Sequence, residues 1–226
     1  MLRRNPVALL VALVALIGCA GNGPEPPDAD ATQRIAVSFD EQTPGRLTSL
    51  IPGGSREGGA AHWAVVVDET APSPPHVLEQ QDNRGEEPRL SVALAAAPIA
   101  RDVRVAVQCQ PLSGRLDQSA GLVFRATSDH DYYVVRANLL ERSVVLYSTA
   151  KGERTQIAIW EQRLAYRRWH ALEVEARGDH IVVRWNGKVV IDVRDTTITA
   201  AGRAGVWTKA DSVARFDDLV IESLDR

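Results

Sequence analysis

Residues 120–148 read AGLVFRATSDHDYYVVRANLLERSVVLYS, three strand-like runs divided by two short polar segments. Successive side chains of a strand point to opposite faces, so hydrophobes at every second position mark a sheet with one buried side. A tight turn centred on Asp129 and His130 would set Arg125 opposite Val134 and Val123 opposite Arg136. A second turn, centred on Glu141 and Arg142, would set Tyr147 opposite Arg136, Val145 opposite Asn138 and Leu146 opposite Ala137. Leu122, Phe124, Tyr133, Val135, Ala137, Leu139 and Leu146 then share the core side. Arg125, Tyr132, Arg136, Asn138 and Tyr147 share the other side. A one-residue slip in either hairpin would bury an arginine without a partner, so the two hairpins support the same assignment.

The same period of two runs outward in both directions. Strands are expected over 35–39, 63–67, 76–80, 90–94, 103–110, 120–125, 132–138, 144–148, 155–160, 170–177, 180–185, 189–193, 203–208 and 213–222. Asn186-Gly187 has the chemistry of a tight hairpin turn, because both residues accept positive φ. Gly178-Asp179 separates the preceding pair in the same way. Pro72, Pro74 and Pro75 place the early chain at an edge or in a loop. The Ala-rich run 90–100 has room for a helical turn, limited by Pro98. Many short strands with regular turns predict an all-β, antiparallel two-sheet β-sandwich of the jelly-roll type over residues 34–226.

The N-terminus sets a compartment. Arg3 and Arg4 precede an apolar run, Val7 to Ile17, that is too short to span a bilayer and suits the core of a secretory signal. Leu16-Ile17-Gly18-Cys19 follows and resembles the lipobox of bacterial lipoproteins, in which the cysteine is acylated and becomes the mature N-terminus. Residues 1–19 are therefore expected to be a lipoprotein signal, and 20–33, rich in Gly, Pro and Asp, a flexible tether. The expected location is the cell envelope, anchored to the membrane through lipid on Cys19. Ala20, rather than Asp, favours the outer membrane in a Gram-negative host. The formal charge of −3, with both signs interleaved, gives no basic stripe for nucleic acid. Cys109 alternates with Val103, Val105 and Val107 and is read as a core residue.

The polar side of the two hairpins has the composition of a sugar site. Arg and Asn offer planar donors and acceptors for hydroxyls, and Tyr offers an aromatic face for C–H groups. Trp207, beside Lys209, Asp211 and Ser212, could add a stacking ring at its rim; Trp63, Trp160, Trp169 and Trp185 read as core. A solvated outer face would use the same residue types. Glu173 and Glu175, two apart on one strand, lie about 6–7 Å from each other, near the range for paired glycosidase carboxylates. A wet outer face also explains them. His130, between Asp129 and Asp131, fits a turn. Asp211, Asp217 and Asp218 are candidate metal ligands by residue type alone, and neither metal nor cofactor is expected. The Gly-x-Ser-x-Gly, His-Glu-x-x-His, phosphate-loop and dinucleotide fingerprints do not occur.

Ala120 to Arg125 followed by Asp131 to Asn138 resembles the paired central strands of concanavalin A-like lectin/glucanase sandwiches. Trp169-His170-Ala171-Leu172-Glu173-Val174 with Trp185-Asn186-Gly187-Lys188 resembles the laminin G-like members. Gly205 to Ser212, closing on Phe216-Asp217-Asp218-Leu219, resembles their last two strands. The likeness spans Ile35 to Glu222 and is nearest to envelope proteins related to 3-keto-disaccharide hydrolases. It implies a concanavalin A-like jelly roll that hosts lectins, hydrolases and adhesion modules alike. The glucanase string Glu-x-Asp-x-x-Glu is missing. Three functions stay open: carbohydrate binding through Arg125, Tyr132, Arg136, Asn138, Tyr147, Trp207, Lys209 and Asp211; hydrolysis of (3-keto-)disaccharides or related saccharides with Glu173, Glu175 or Asp211 as base; and a non-catalytic protein-interaction module.

Overall fold

The structure, a computed structural model, describes residues 33–54, 61–82 and 90–225. The signal segment, Cys19 and the tether through Thr32 lie outside the described residues. Thr32–Arg226 forms one compact unit. Fifteen strands follow in chain order: β1 (Arg34–Val37), β2 (Ile51–Gly54), β3 (Trp63–Val67), β4 (His76–Gln80), β5 (Leu90–Leu94), β6 (Val103–Ser113), β7 (Ser119–Ser128) and β8 (Asp131–Asn138). The second half comprises β9 (Ser143–Ala150), β10 (Glu153–Glu161), β11 (His170–Arg177), β12 (His180–Trp185), β13 (Lys188–Arg194), β14 (Arg203–Lys209) and β15 (Val213–Ser223). They form two antiparallel sheets. Sheet A runs β13-β12-β11-β6-β15-β4-β3, with β1 also paired to β15, and sheet B runs β10-β9-β8-β7-β14-β5-β2.

The expected two-sheet sandwich is therefore present, and the described residues contain no helix. The Ala-rich run 90–100 starts as β5 and never turns helical. β2 was not expected: Ile51-Pro52-Gly53-Gly54 has poor strand chemistry, and it is held as an edge strand by pairing with β5.

Alternation builds the core. In β6, Val103, Val105, Val107 and Cys109 face sheet B and are buried, while Arg104 and Gln108 alternate with them. Burial pushes the Cys109 thiol up to about 12, so it stays protonated, as the core reading of that cysteine requires. Leu122, Phe124, Tyr133, Val135, Ala137, Val144 and Leu146 answer from sheet B. Each such Val, Leu or Phe side chain, fully buried, contributes about 1.5–3 kcal/mol relative to exposure. The Trp-His and Asn-Gly motif is part of this scaffold. His170 stacks on Trp185 at 4.6 Å and places Nε2 2.9 Å from the Ala165 carbonyl. Asn186 holds His170 Nδ1 at 3.1 Å and accepts the Ala171 N–H, closing the β12–β13 turn against β11.

The outward face of sheet A carries an ion ladder. Arg104 meets Glu175 at 3.0 Å and Glu222 at 3.4 Å, and Arg184 meets Glu173 at 2.9 Å. Glu173 and Glu175, named above as candidate bases, are thus on the sheet opposite Arg136 and held by arginines.

Both central hairpins keep the expected faces with a register moved by two residues. Val123 pairs with Val134 and Gly121 with Arg136, and on the other side Arg136 pairs with Val145 and Val134 with Tyr147. In the first hairpin the turn is the expected one, since Ser128 pairs with Asp131. The register changes inside β7, at an irregularity between Phe124 and Ser128. In the second, the connection is longer because Asn138 Oδ1 accepts the N–H groups of Leu140 and Glu141 and folds the chain back by itself. A shift of two leaves parity intact, which is why the core side came out correctly.

Candidate functional site

Arg125 is the exception to that parity. It sits in the β7 irregularity with φ of 50°, and this left-handed residue turns its side chain off the outward face. Its Nε donates to Arg101 O at 2.6 Å, Nη1 to Ile198 O at 3.1 Å and Nη2 to Gly178 O at 2.7 Å. The guanidinium lies 6.0 Å from the centroid of the Tyr133 ring, on the core side. Burial lowers its pKa, with Tyr133 and Asp102 acting against that shift. Arg125 clasps the end of sheet B to three connections, those before β6, between β11 and β12 and between β13 and β14, and does not join the other expected binding residues. Gly202 makes the irregularity accessible to β14: a Cβ there would stand 2.4 Å from the Arg125 carbonyl carbon.

Arg136 does lie on the outward face of sheet B. It is 1% exposed, with Nη1 3.3 Å from Asp117 Oδ2 and Nη2 on Glu141 and, at 3.3 Å, on the Tyr147 hydroxyl. Asn138 donates to Asp117 Oδ1 at 3.0 Å, and Lys209 Nζ stands 3.7 Å from Asp117 Oδ2. Asp117 is thus the hub of the cluster. Its pKa is raised by burial, against the pull of Arg136, Ser119 and Lys209.

Two aromatic walls flank the hub. Tyr147 lies 5.5 Å from the Arg136 guanidinium and 4.6 Å from that of Arg154, so its ring is held between two cations. Trp207 is paired through Gly121 to Arg136: the three residues lie in line on β14, β7 and β8. Gly121 is required there, since a Cβ would meet Val135 O at 2.5 Å and Trp207 Cε3 at 3.2 Å. Tyr132 completes a smaller apolar cluster with Val123, Val134, Val145, Tyr147 and Trp207. Burial raises the Tyr132 pKa, and Thr149 and Trp207 lie close enough to oppose that rise.

Asp211 has a different part from the one expected. Its carboxylate accepts the backbone N–H groups of Arg115 at 2.7 Å, Leu116 at 3.0 Å and Asp117 at 3.0 Å. Burial alone would raise its pKa, but these donors outweigh it and the carboxyl lies below its usual value. Asp211 shapes the 114–118 loop, and that loop delivers Asp117. Gly114, with φ of 152°, is the hinge: a Cβ would fall 1.7 Å from Asp117 O.

Asp117 and Glu141 escaped the sequence reading because both lie in connections, where period two says nothing. In the sequence only Gly114, a turn residue, and the polar Asp117-Gln118 pair hint at Asp117. Asp217 stands apart from Asp211, accepting the Ser73 N–H at 2.9 Å, and burial pushes it up to about 6. Among the described residues no group of three or more His, Cys, Asp or Glu is placed to hold a metal.

Four buried polar atoms of the sheet B outward face have no hydrogen-bond partner among the described residues: Arg136 Nε, Ser143 Oγ, Thr149 Oγ1 and Trp207 Nε1. Thr149 and Trp207 stand beside the Tyr132 hydroxyl without making a bond of good geometry to it. Each such group carries a desolvation cost of about 1–3 kcal/mol.

No family model and no curated protein matches the sequence. Solved structures do. Carbohydrate binding module CBM66 from Bacillus subtilis superimposes with a TM-score of 0.61 at 18% identity, over 78% of this chain and 96% of that one. A β-glucanase from Bacillus licheniformis gives 0.54 at 9% identity, over 85% and 98%. The exoplasmic/lumenal domain of VIP36, in a Ca2+/Man-bound form, gives 0.54 at 11% identity, over 85% and 90%. At these identities the likeness concerns architecture. The chain has the antiparallel jelly-roll fold of the concanavalin A-like lectins and glucanases.

Proposed function

We propose that the protein is a lipid-anchored envelope lipoprotein that binds a saccharide on the outward face of sheet B, at Arg136, Tyr147, Trp207 and Lys209. The observation that carries the binding reading is the set of buried, unpartnered polar groups on that face, beside an indole and two phenol rings. Buried polar groups are nearly always satisfied, and a clustered exception asks for a partner. Sugar hydroxyls would supply one, and the rings of Trp207, Tyr132 and Tyr147, at 1%, 4% and 9% exposure, line the buried side of the same face. Solved carbohydrate-binding structures with the same fold make the reading consistent with what such a sandwich can do. Tyr132, Asn138 and Asp211 act as positioning residues, and Arg125 belongs to the scaffold.

The hydrolase reading finds less support. Glu173 and Glu175 face away on sheet A beside arginines, and Asp211 is occupied by backbone donors.

The proposed processed form starts at Cys19. Titration calorimetry against a panel of oligosaccharides is therefore made with residues 19–226, with Arg136→Gln beside it. Saturable binding that the variant loses while its melting curve remains cooperative supports the site. Equal binding by both excludes it. The anchor is tested separately: full-length chain in a Gram-negative host should incorporate labelled palmitate, and Cys19→Ala should not.

A further inference from the structure

The hydrophobic strip that β9 turns towards sheet A changes character along its length. Val144 and Leu146 are fully buried core residues, and the next inward positions are Ser148 and Ala150. Across the β9–β10 pairing, Thr155 stands opposite Ser148 and Glu153 opposite Ala150, so the inward side of β10 is polar too. The large apolar side chains of the strip stop at Leu146. Beyond it a cleft of about 360 Å3 opens between this end of sheet B and the connection that follows β13. Ser148, Glu153, Thr155 and Gln156 form one wall, and Asp195 and Thr197 the other. The irregularity of β10 between Gln156 and Ala158 lets the successive residues Gln156 and Ile157 both reach the cleft. Further along the same flank, Lys188 lies 5.7 Å from the Trp160 ring and ties β13 to β10.

Asp195 is held in place from the core. Tyr133, fully buried and stacked on Phe124, donates its hydroxyl to Asp195 Oδ1 at 2.5 Å, and Thr197 N–H donates to the same oxygen at 2.9 Å. Ile198 N–H in turn donates to the Tyr133 hydroxyl at 2.9 Å. Burial would raise the Asp195 pKa, but the Tyr133 and Thr197 donors outweigh it and the carboxyl lies below its usual value. Burial pushes the Tyr133 phenol up to about 12, so it stays the donor. An ionised carboxylate accepts about four hydrogen bonds, and both of these fall on Oδ1. Ser148 is 3% exposed and lines the cleft, and its hydroxyl makes no hydrogen bond among the described residues.

These groups define a ligand. Two carboxylates, three hydroxyls and one amide line the cleft, with neither an aromatic ring nor a Lys or Arg among them. Carboxylates accept and do not donate, so the ligand must bring several donors, and an anion would be repelled. Neighbouring hydroxyls of a sugar ring meet this need, donating to a carboxylate while accepting from Ser, Thr and Gln. The volume is at the small end of the roughly 300–1,000 Å3 of small-molecule sites, which suits a short sugar rather than a chain laid along a sheet. We infer that the cleft between β10 and the 195–197 segment is a second binding site, for a neutral sugar unit whose vicinal hydroxyls are received by Asp195 and Glu153. It is separate from the face proposed above, because Tyr147 and Ser148, adjacent in β9, point to opposite sides of sheet B.

The experiment titrates residues 19–226 with the methyl glycosides of glucose, galactose, mannose and xylose, and with protonated methyl glucosaminide, while backbone amide signals are followed by nuclear magnetic resonance. At least one neutral glycoside should shift the amides of 148, 153–157 and 195–197 together and saturably. Glu153→Gln, at an exposed strand position, should weaken that binding about tenfold through one charge-assisted hydrogen bond. Thr155→Phe, whose ring fills the cleft, should abolish it; should that variant fail to fold, Glu153→Gln decides. If no neutral glycoside shifts these amides up to its solubility, or binding is undiminished in the folded variants, the inference is overturned. Tighter binding of the glucosaminide than of every neutral glycoside overturns it too, since the cleft would then be a cation site. The Arg136 and Trp207 signals are read in the same spectra, so either site can fail without the other.

Discussion

Two arginines on neighbouring central strands, Arg125 and Arg136, are both buried and have opposite characters. Arg125 has each of its three nitrogens on a backbone carbonyl, from three separate segments. Arg136 shares its charge with Asp117 and Glu141, touches Tyr147, and leaves Nε without a partner. A fully satisfied buried cation holds a fold together. One left incompletely satisfied, among rings and other unpartnered groups, retains something to offer a ligand. The difference separates scaffold from site in residues that a sequence presents as equivalents.

The largest expected break in that comparison is Arg125→Met. It strands three carbonyls between the sheets, and urea titration should report a loss of about 3–5 kcal/mol, with saccharide affinity of the folded fraction within twofold of the original. A strong binding defect with intact stability would place Arg125 in the site after all. Next comes Gly121→Ala, whose methyl collides with Val135 O and the Trp207 ring. About 1–3 kcal/mol of stability should be lost, together with most of the binding, because the indole is displaced, and the Trp fluorescence emission should shift accordingly. Arg136→Gln should cost about 1–3 kcal/mol, less than Arg125→Met, since Asp117 keeps Asn138 and Lys209.

Smaller effects follow pH. Asp211 has a lowered folded pKa, so its stabilisation is complete above the unfolded value of about 3.9 and fades as pH falls through the lower folded value. Asp211→Asn should flatten the melting profile between about pH 5 and pH 3. Asp217 runs the other way. Its folded pKa of about 6 means that the fold favours the neutral acid, and stability from this group rises as pH falls from 7 towards 5. Asp217→Asn should remove that rise. Smallest of all is Arg104→Ala on sheet A, where a partly exposed ion ladder should contribute no more than about 1 kcal/mol, reduced further by salt.

The fold was largely legible because hydrophobic alternation carries it. β11 and β12 begin and end where period two places them, and the core side of β7, β8 and β9 follows from parity that survives a two-residue shift in register. Three things were hidden for physical reasons. β2 pairs despite its Pro-Gly-Gly sequence because an edge strand needs little propensity once a neighbour offers bonds. The turning of Arg125 depends on a backbone irregularity, which alternation cannot announce. The hub of the site, Asp117, reaches Arg136 only because Asp211, on a connection ninety-odd residues later in the chain, organises the 114–118 loop. By residue type Asp211 reads as a ligand contact, and in the structure it serves the loop.

The most direct test of the saccharide face is a nuclear magnetic resonance titration of residues 19–226, following arginine Nε–H and tryptophan indole N–H signals as the tightest-binding oligosaccharide is added. Arg136 Nε–H and Trp207 Nε1–H should move together and saturate at the calorimetric affinity, while Arg125 Nε–H and the Trp63 and Trp169 indoles hold still. Saturable binding that leaves Arg136 and Trp207 unmoved and shifts signals of sheet A instead would contradict it.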